Sequence, residues 1–107
     1  MRPSPMKNFL ASLFSTQVKS RHEIEIVYFG RPSEFLMMTS ERMEIPSTGS
    51  AIAQVLALLR QRGDRWVHEL DDSHVICTVN GHAVSLHDTL RTGDEMGLFS
   101  SKSWLEA

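Results

Sequence analysis

The sequence predicts an α+β domain in which a mixed sheet of four to five short strands carries one main helix packed across it. Two observations lead there. Ile52, Val55, Leu56 and Leu59 recur at i, i+3, i+4 and i+7 and so line one face of a helix. Stretches of period two flank that helix: Ile24, Ile26 and Tyr28 before it, the β-branched run from His74 to Val79 and the segment Glu95 to Phe99 after it. The order of strand, strand, helix and three further short strands suits a two-layer arrangement with the helix on one face of the sheet.

At 107 residues the chain has room for one core. A hydrophobic fraction of 41% and a charged fraction of 22% belong to an ordinary globular chain. No apolar run reaches the roughly 18 residues of a membrane span. Cys77 is the single cysteine, which excludes intrachain disulfides and cysteine-rich clusters and points to a reducing cytoplasm. The net charge of −2 is unevenly distributed: residues 1–22 hold Arg2, Lys7, Lys19 and Arg21 with no acid, so the remaining chain is distinctly acidic. The expected division is a basic, flexible extension over 1–22, the domain over 23–99 and a tail over 100–107. The extension is too short and too weakly charged for a nucleic-acid partner. Its Phe9, Leu10, Leu13, Phe14 and Val18 would form an apolar stripe if Met6 to Val18 became helical. An organelle-type transit peptide shares this acid-free look; a secretory signal fits less well because Ser12, Ser15, Thr16 and Gln17 interrupt the apolar stretch.

Within the domain, Glu23 to Tyr28 reads as the first strand, with Ile24, Ile26 and Tyr28 on its buried face. Gly30, Pro32 and Ser33 read as breakers, and Phe35 to Met38 as a short apolar patch tucked under the sheet as a turn of helix. Arg42 to Ile45 is the second strand, closed by Pro46. Ser50 is expected to cap the main helix, with Arg60 and Arg62 near its end and Gly63 terminating it. Asp64 should cap a second short helix that covers the core with Trp66, Val67 and Leu70. Asn80-Gly81 suits a type I′ hairpin turn between His74–Val79 and a returning strand at Ala83–Leu86. Thr92-Gly93-Asp94 makes the next turn and Glu95 to Phe99 the last strand.

Taken together, Tyr28-Phe29-Gly30, the Ser50-led helix, Asp64-Arg65-Trp66, Val79-Asn80-Gly81 and Gly93-Asp94-Glu95 occur in an order and spacing that resemble the MoaD/ThiS family of ubiquitin-like sulfur carriers, over about residues 23 to 99. The resemblance implies a β-grasp (ubiquitin-like) fold with the final strand in the middle of the sheet. It also implies a tail ending in Gly-Gly, whose carboxylate is adenylylated and thiocarboxylated. The glycines matter because the tail threads a narrow channel in a partner, where side chains would clash. Counted from Gly93-Asp94-Glu95, those positions hold Trp104 and Leu105, and no Gly-Gly occurs in the 107 residues. The expected function is therefore a non-catalytic partner-binding module linked to molybdenum cofactor biosynthesis. Its partner would be a molybdopterin synthase large subunit or another protein concerned with that cofactor. Two alternatives stand beside it: a carrier thiocarboxylated at an atypical end, and a docking protein acting through the basic amphipathic extension.

The expected partner-binding residues are Phe99, Trp104, Leu105 and Met96. Met96, Leu98 and Phe99 cannot all face the core of an alternating strand, and aromatic anchors favour interfaces. No cofactor or metal is expected. His22, His68, His74, His82 and His87 form no ligand pattern and read as solvated surface residues. Cys77 lies mid-strand as a small buried hydrophobe, and Asp71-Asp72 and Asp94-Glu95 read as turn formers rather than acid–base pairs.

Overall fold

The computed structural model describes residues 22–103 and residue 105. The helical reading of Met6 to Val18 and the site residue Trp104 lie outside the described residues. The elements are β1 (Glu23–Tyr28), α1 (Gly30–Leu36), β2 (Ser40–Glu44), β3 (Ser50–Ala51), α2 (Ile52–Arg60), α3 (Asp64–Glu69), β4 (Val75–Val79), β5 (His82–Ala83), β6 (Thr89–Leu90) and β7 (Glu95–Ser100). The main sheet runs β2-β1-β7-β4-β5, with β1 and β7 parallel and the other pairs antiparallel. The last long strand is thus central. A two-stranded ribbon of β3 and β6 lies apart from it.

Alternation in β1 and β7 turns Ile24, Ile26, Tyr28, Met96 and Leu98 to one side, where they meet Ile52, Val55, Leu56 and Leu59 of α2. Each such side chain taken wholly out of water stabilises the fold by about 1.5–3 kcal/mol. The hairpin turn also forms as the sequence indicates. Asn80 and Gly81 have φ of 52° and 85°, the two positive values a type I′ turn needs, and Val79 pairs with His82. The Asn80 side chain fastens this turn to the neighbouring strand: its Oδ1 accepts from the Glu95 N–H at 3.0 Å and its Nδ2 donates to Asp94 at 3.0 Å.

Several local readings are corrected. Gly30, Pro32 and Ser33 do not break the chain but build α1, since the proline lies in the first turn, where its missing N–H costs no helix bond. Leu36 is buried by this helix while Met37 is left 80% exposed in a left-handed C-cap. Ser50 belongs to β3, and the cap position of α2 is Ala51. The first N–H groups of α2 are satisfied across the fold, Ile52 donating to the Asp88 carbonyl and Ala53 to that of Leu86. Gly63, rather than Asp64, occupies the cap position of α3, and Val67 faces outward there while Leu70 is buried. The return after the hairpin is a strand only over His82–Ala83, with one further bond from the Val84 N–H to the Cys77 carbonyl.

The helix ends are tied to the sheet by a polar cluster. Arg62 forks onto Glu41 with two 2.8 Å bonds, Glu41 accepts from the Tyr28 hydroxyl at 2.6 Å, and the Arg62 guanidinium lies 4.7 Å over the Trp66 ring. Trp66 in turn meets Tyr28 edge-on at 6.0 Å. Burial first, and then the bond to Glu41, raise the Tyr28 hydroxyl well above its ordinary range. The bonds from Arg62 hold the Glu41 carboxyl below its usual 4.5. Because that folded value is depressed, the stability it confers is complete above pH 4.5 and is lost as the pH falls through the lowered value. In urea titrations a Glu41→Gln variant should therefore be less stable than the wild type at neutral pH, with the difference narrowing on acidification; a gap independent of pH would refute the assignment.

Candidate partner-binding face

The side of the sheet away from α2 is assembled from the other parity of each strand. Across its middle run Ser40, Val27, Gly97, Thr78 and Ala83, set side by side by the strand register. Beyond them, towards the end of β7, Phe99 pairs with Ile76 of β4. Phe29, which continues the outward parity of β1, stacks on Phe99 with ring centroids 4.5 Å apart and planes within 6°. Phe29 is 38% and Ile76 43% exposed. Three large apolar side chains from β4, β7 and the end of β1 thus share a solvent-facing patch.

Gly97 makes this stack possible. A Cβ there would collide with Thr78 Oγ1 and approach Phe29 Cε2 to 3.2 Å and Phe99 Cε1 to 3.3 Å, so the rings rest on bare backbone. Gly97→Ala should cost about 1–3 kcal/mol in denaturant titrations, as overfilled sites do. Adding Thr78→Ala should restore part of that loss; no recovery would place the strain elsewhere.

The expected site residues separate. Phe99 lies on the outer face. Met96 has the opposite parity and is fully buried among core residues, so it is a core side chain and not a contact surface. Leu105 is 96% exposed. The chain leading to it is turned by α1 and α3, which hold a feature that spacing could not reveal. Arg31, 3% exposed, forks onto Glu69, 0% exposed, with bonds of 3.0 and 3.1 Å, and its remaining nitrogen donates to the Ser103 carbonyl. Phe35 lies beneath the guanidinium at 4.5 Å. Further along, the Lys102 N–H donates to Ser100 Oγ at 3.1 Å and the Lys102 Nζ lies 3.3 Å from His68 Nε2. The stretch after β7 therefore lies against the helices.

Beside that stretch is an open cleft of about 490 Å³ whose wall includes Asp64, His68, Asp71, His74 and Lys102. His74 is corrected from a surface residue to a buried one, its Nδ1 3.2 Å from Ser100 Oγ. Among the described residues no three His, Cys, Asp or Glu side chains converge as metal ligands would. Cys77 is buried on the core face of β4, and burial pushes its thiol up to about 11, a value that leaves little nucleophilic thiolate. Asp71 accepts from the Ser73 N–H at 2.9 Å and is held below its ordinary range by bonds from Ser73, while Asp94 accepts from the Arg91 N–H at 2.9 Å; both shape turns. Thus the outer patch is apolar and faces solvent, and the cleft is a polar niche beside the tail.

The model of the ThiS family matches residues 26–101, from the middle of β1 to just past the end of β7. The chain belongs to the ThiS family. Among solved structures, this ThiS-family protein is similar to SAMP1 from Haloferax volcanii, at 20% identity and a TM-score of 0.62 over 76% of this chain and 97% of that one. It is also similar to a Pyrococcus furiosus protein described as molybdopterin converting factor, subunit 1, at 24% identity and a TM-score of 0.61, over 73% and 95%. A third, the HVO 2177 protein of Haloferax volcanii, gives 21% and 0.63 over 77% and 85%. No curated protein matches. At these identities the structural likeness establishes the fold, and that fold is the ubiquitin-like β-grasp. No helix among the described residues is long and apolar enough to cross a membrane.

Phe29, Ile76, Arg31 and Glu69 went unread in the sequence as site residues. A signal existed for Phe29, because the odd positions 23, 25, 27 and 29 of the first strand all point outward. None existed for the buried pair, whose members lie 38 residues apart.

Proposed function

We propose that this protein is a non-catalytic binding module of the MoaD/ThiS type. It engages a protein partner in molybdenum cofactor biosynthesis, in the cytoplasm, through the outer face of its sheet. The observation that carries this reading is the patch of Phe29, Ile76 and Phe99, a solvent-facing cluster of the residue types that anchor interfaces. The family works through protein partners, and one structural neighbour is described as a molybdopterin converting factor subunit, which supports that class of partner.

Trp104 and Leu105 extend the contact. They stand where carriers of the family place glycines, and two bulky side chains oppose passage through a channel shaped for bare backbone. The reading therefore assigns contact, and no covalent chemistry, to positions 104 and 105. Affinity capture from the native cell with the full chain is the test. It should recover a molybdopterin synthase large subunit or another protein handling that cofactor, and recovery should drop when Trp104 becomes alanine. Prey unrelated to the cofactor would overturn the pathway assignment, and recovery unaffected by substitutions at Phe99 and Trp104 would overturn the surface.

A further inference from the structure

Strand β2 ends the main sheet on one side, and among the described residues no strand lies beyond it. The Tyr28 N–H donates to the Thr39 carbonyl and the Ile45 N–H to the His22 carbonyl, which fixes the residues of β2 that bond inward. Thr39, Glu41, Met43 and Ile45 turn their backbone groups to β1, so Ser40, Arg42 and Glu44 turn theirs to the outer edge. Pairing with β1 is continuous from Ser40 to Glu44, with neither bulge nor proline to blunt the edge. The opposite edge is the short β5, His82–Ala83.

Side chains divide by the same alternation. Ser40, Arg42 and Glu44 stand exposed on the outer face, whereas Glu41 and Met43 lie on the side of α2, with Met43 half-buried against the core. Leu58 of α2, 52% exposed, flanks that side. It lies about 200° around the helix from Arg60. Arg60 reaches the Leu70 carbonyl and Asp72 ahead of β4, so Leu58 turns the other way, towards β2.

The edge is self-complementary in one register. In an antiparallel pairing about a two-fold axis at Met43, Arg42 of each copy faces Glu44 of the other, both with outward backbone groups. The two Met43 side chains then meet in the close, non-hydrogen-bonded position. An axis at Arg42 or at Glu44 sets like charges together, and the latter also brings Arg42 to Pro46, which has no N–H to give. An axis at Glu41 opposes two carboxylates. Within one chain Glu25 stands opposite Arg42, and Glu23 opposite Glu44, a like-charged pair. Pairing at Met43 places the second copy's guanidinium beside Glu44 and offsets that repulsion.

We infer that two copies of this chain pair through their β2 edges into a symmetric dimer with one continuous sheet. Arg42 and Glu44 exchange backbone bonds and opposite charges across the axis, and Met43 and Leu58 supply the apolar contact. The axis stands perpendicular to the sheet, so both outer faces turn the same way and both patches of Phe29, Ile76 and Phe99 stay open. Display of two patches to one partner rests on the proposed function; the pairing of edges does not.

Sedimentation equilibrium of the full chain, at up to about 1 mM, is the test. The wild type should show a reversible monomer–dimer equilibrium, weak as small interfaces are. Arg42→Glu alone and Glu44→Arg alone should each weaken it roughly tenfold or more, since each sets like charges together twice. Mixed in equal amounts, the two variants should recover a dimer holding one of each, because both contacts then join opposite charges. In a mixture of isotope-labelled and unlabelled wild-type chains, the Met43 methyl should show cross-copy NOEs. A monomeric wild type, cross-copy contacts at Phe99 instead of Met43, variants that dimerise like the wild type, or a mixture no tighter than its components would each overturn the edge pairing. A wild type whose Arg42 and Glu44 amides gain protection only on adding the captured partner would give the edge to that partner and overturn it equally. Failure of the partner reading would leave the sedimentation unchanged, so the two failures are distinguishable.

Discussion

Chemical denaturation of a Glu69→Ala variant is expected to show a stability loss of about 3–5 kcal/mol, because the change takes the carboxylate away from a buried guanidinium. Arg31 and Glu69 have side chains 2% and 1% exposed, and each neutralises the other through two bonds. Removing the carboxylate takes from Arg31 the two bonds of a desolvated ion pair, which neutral partners such as the Ser103 carbonyl and the Phe35 ring do not replace. Replacing both members with leucine should cost much less, since buried pairs often give way to apolar residues of similar volume with little net change. The double variant would still lose the anchor on Ser103. Hydrogen exchange at Lys102 and Leu105 should then quicken even where global stability is restored. A single Glu69→Ala loss below about 1 kcal/mol would show that the pair is solvated in solution and does not hold the tail.

The second large effect concerns recognition. Phe99→Ala should weaken binding to the captured partner by about 2 kcal/mol or more, roughly 30-fold, as loss of a central aromatic anchor does. Its effect on folding should be smaller, on the order of 0.5–1.5 kcal/mol for the lost stack with Phe29 plus a part-buried ring. Calorimetric titration against denaturant unfolding separates the two quantities. A variant that folds less stably yet binds as the wild type would show Phe99 to be a packing residue alone. Ile76→Ala, 43% exposed on the neighbouring strand, should follow Phe99→Ala in binding at smaller magnitude.

What could be read beforehand follows physical range. The buried face of α2, the alternation of β1 and the Asn80-Gly81 turn are local consequences of spacing or of one dipeptide, and each stood in the sequence. The caps did not, because α2 takes its first hydrogen bonds from the carbonyls of Leu86 and Asp88, far along the chain. Gly30-Arg31-Pro32-Ser33 carried the composition of a loop, and only packing of Leu36 and the Arg31 anchor makes a helix of it. Spacing alone leaves the phase of the last strand open between Met96 and Phe99; once Met96 and Leu98 turn inward, Phe99 must turn outward. The patch itself needs three strands in register, and sequence separates Phe29, Ile76 and Phe99 widely.

Contact without covalent chemistry at the tail is the central claim, and the most direct measurement is the intact mass of the protein isolated from its own cells, with fragmentation across the residues after Ser100. Thiocarboxylation exchanges an oxygen for a sulfur and adds about 16 Da, a shift that oxidation of any methionine also gives, so the fragments must locate it. The expected result is an ordinary carboxylate, with any such shift confined to methionines. A sulfur found on the terminal carboxyl would contradict the account and make this protein a working carrier.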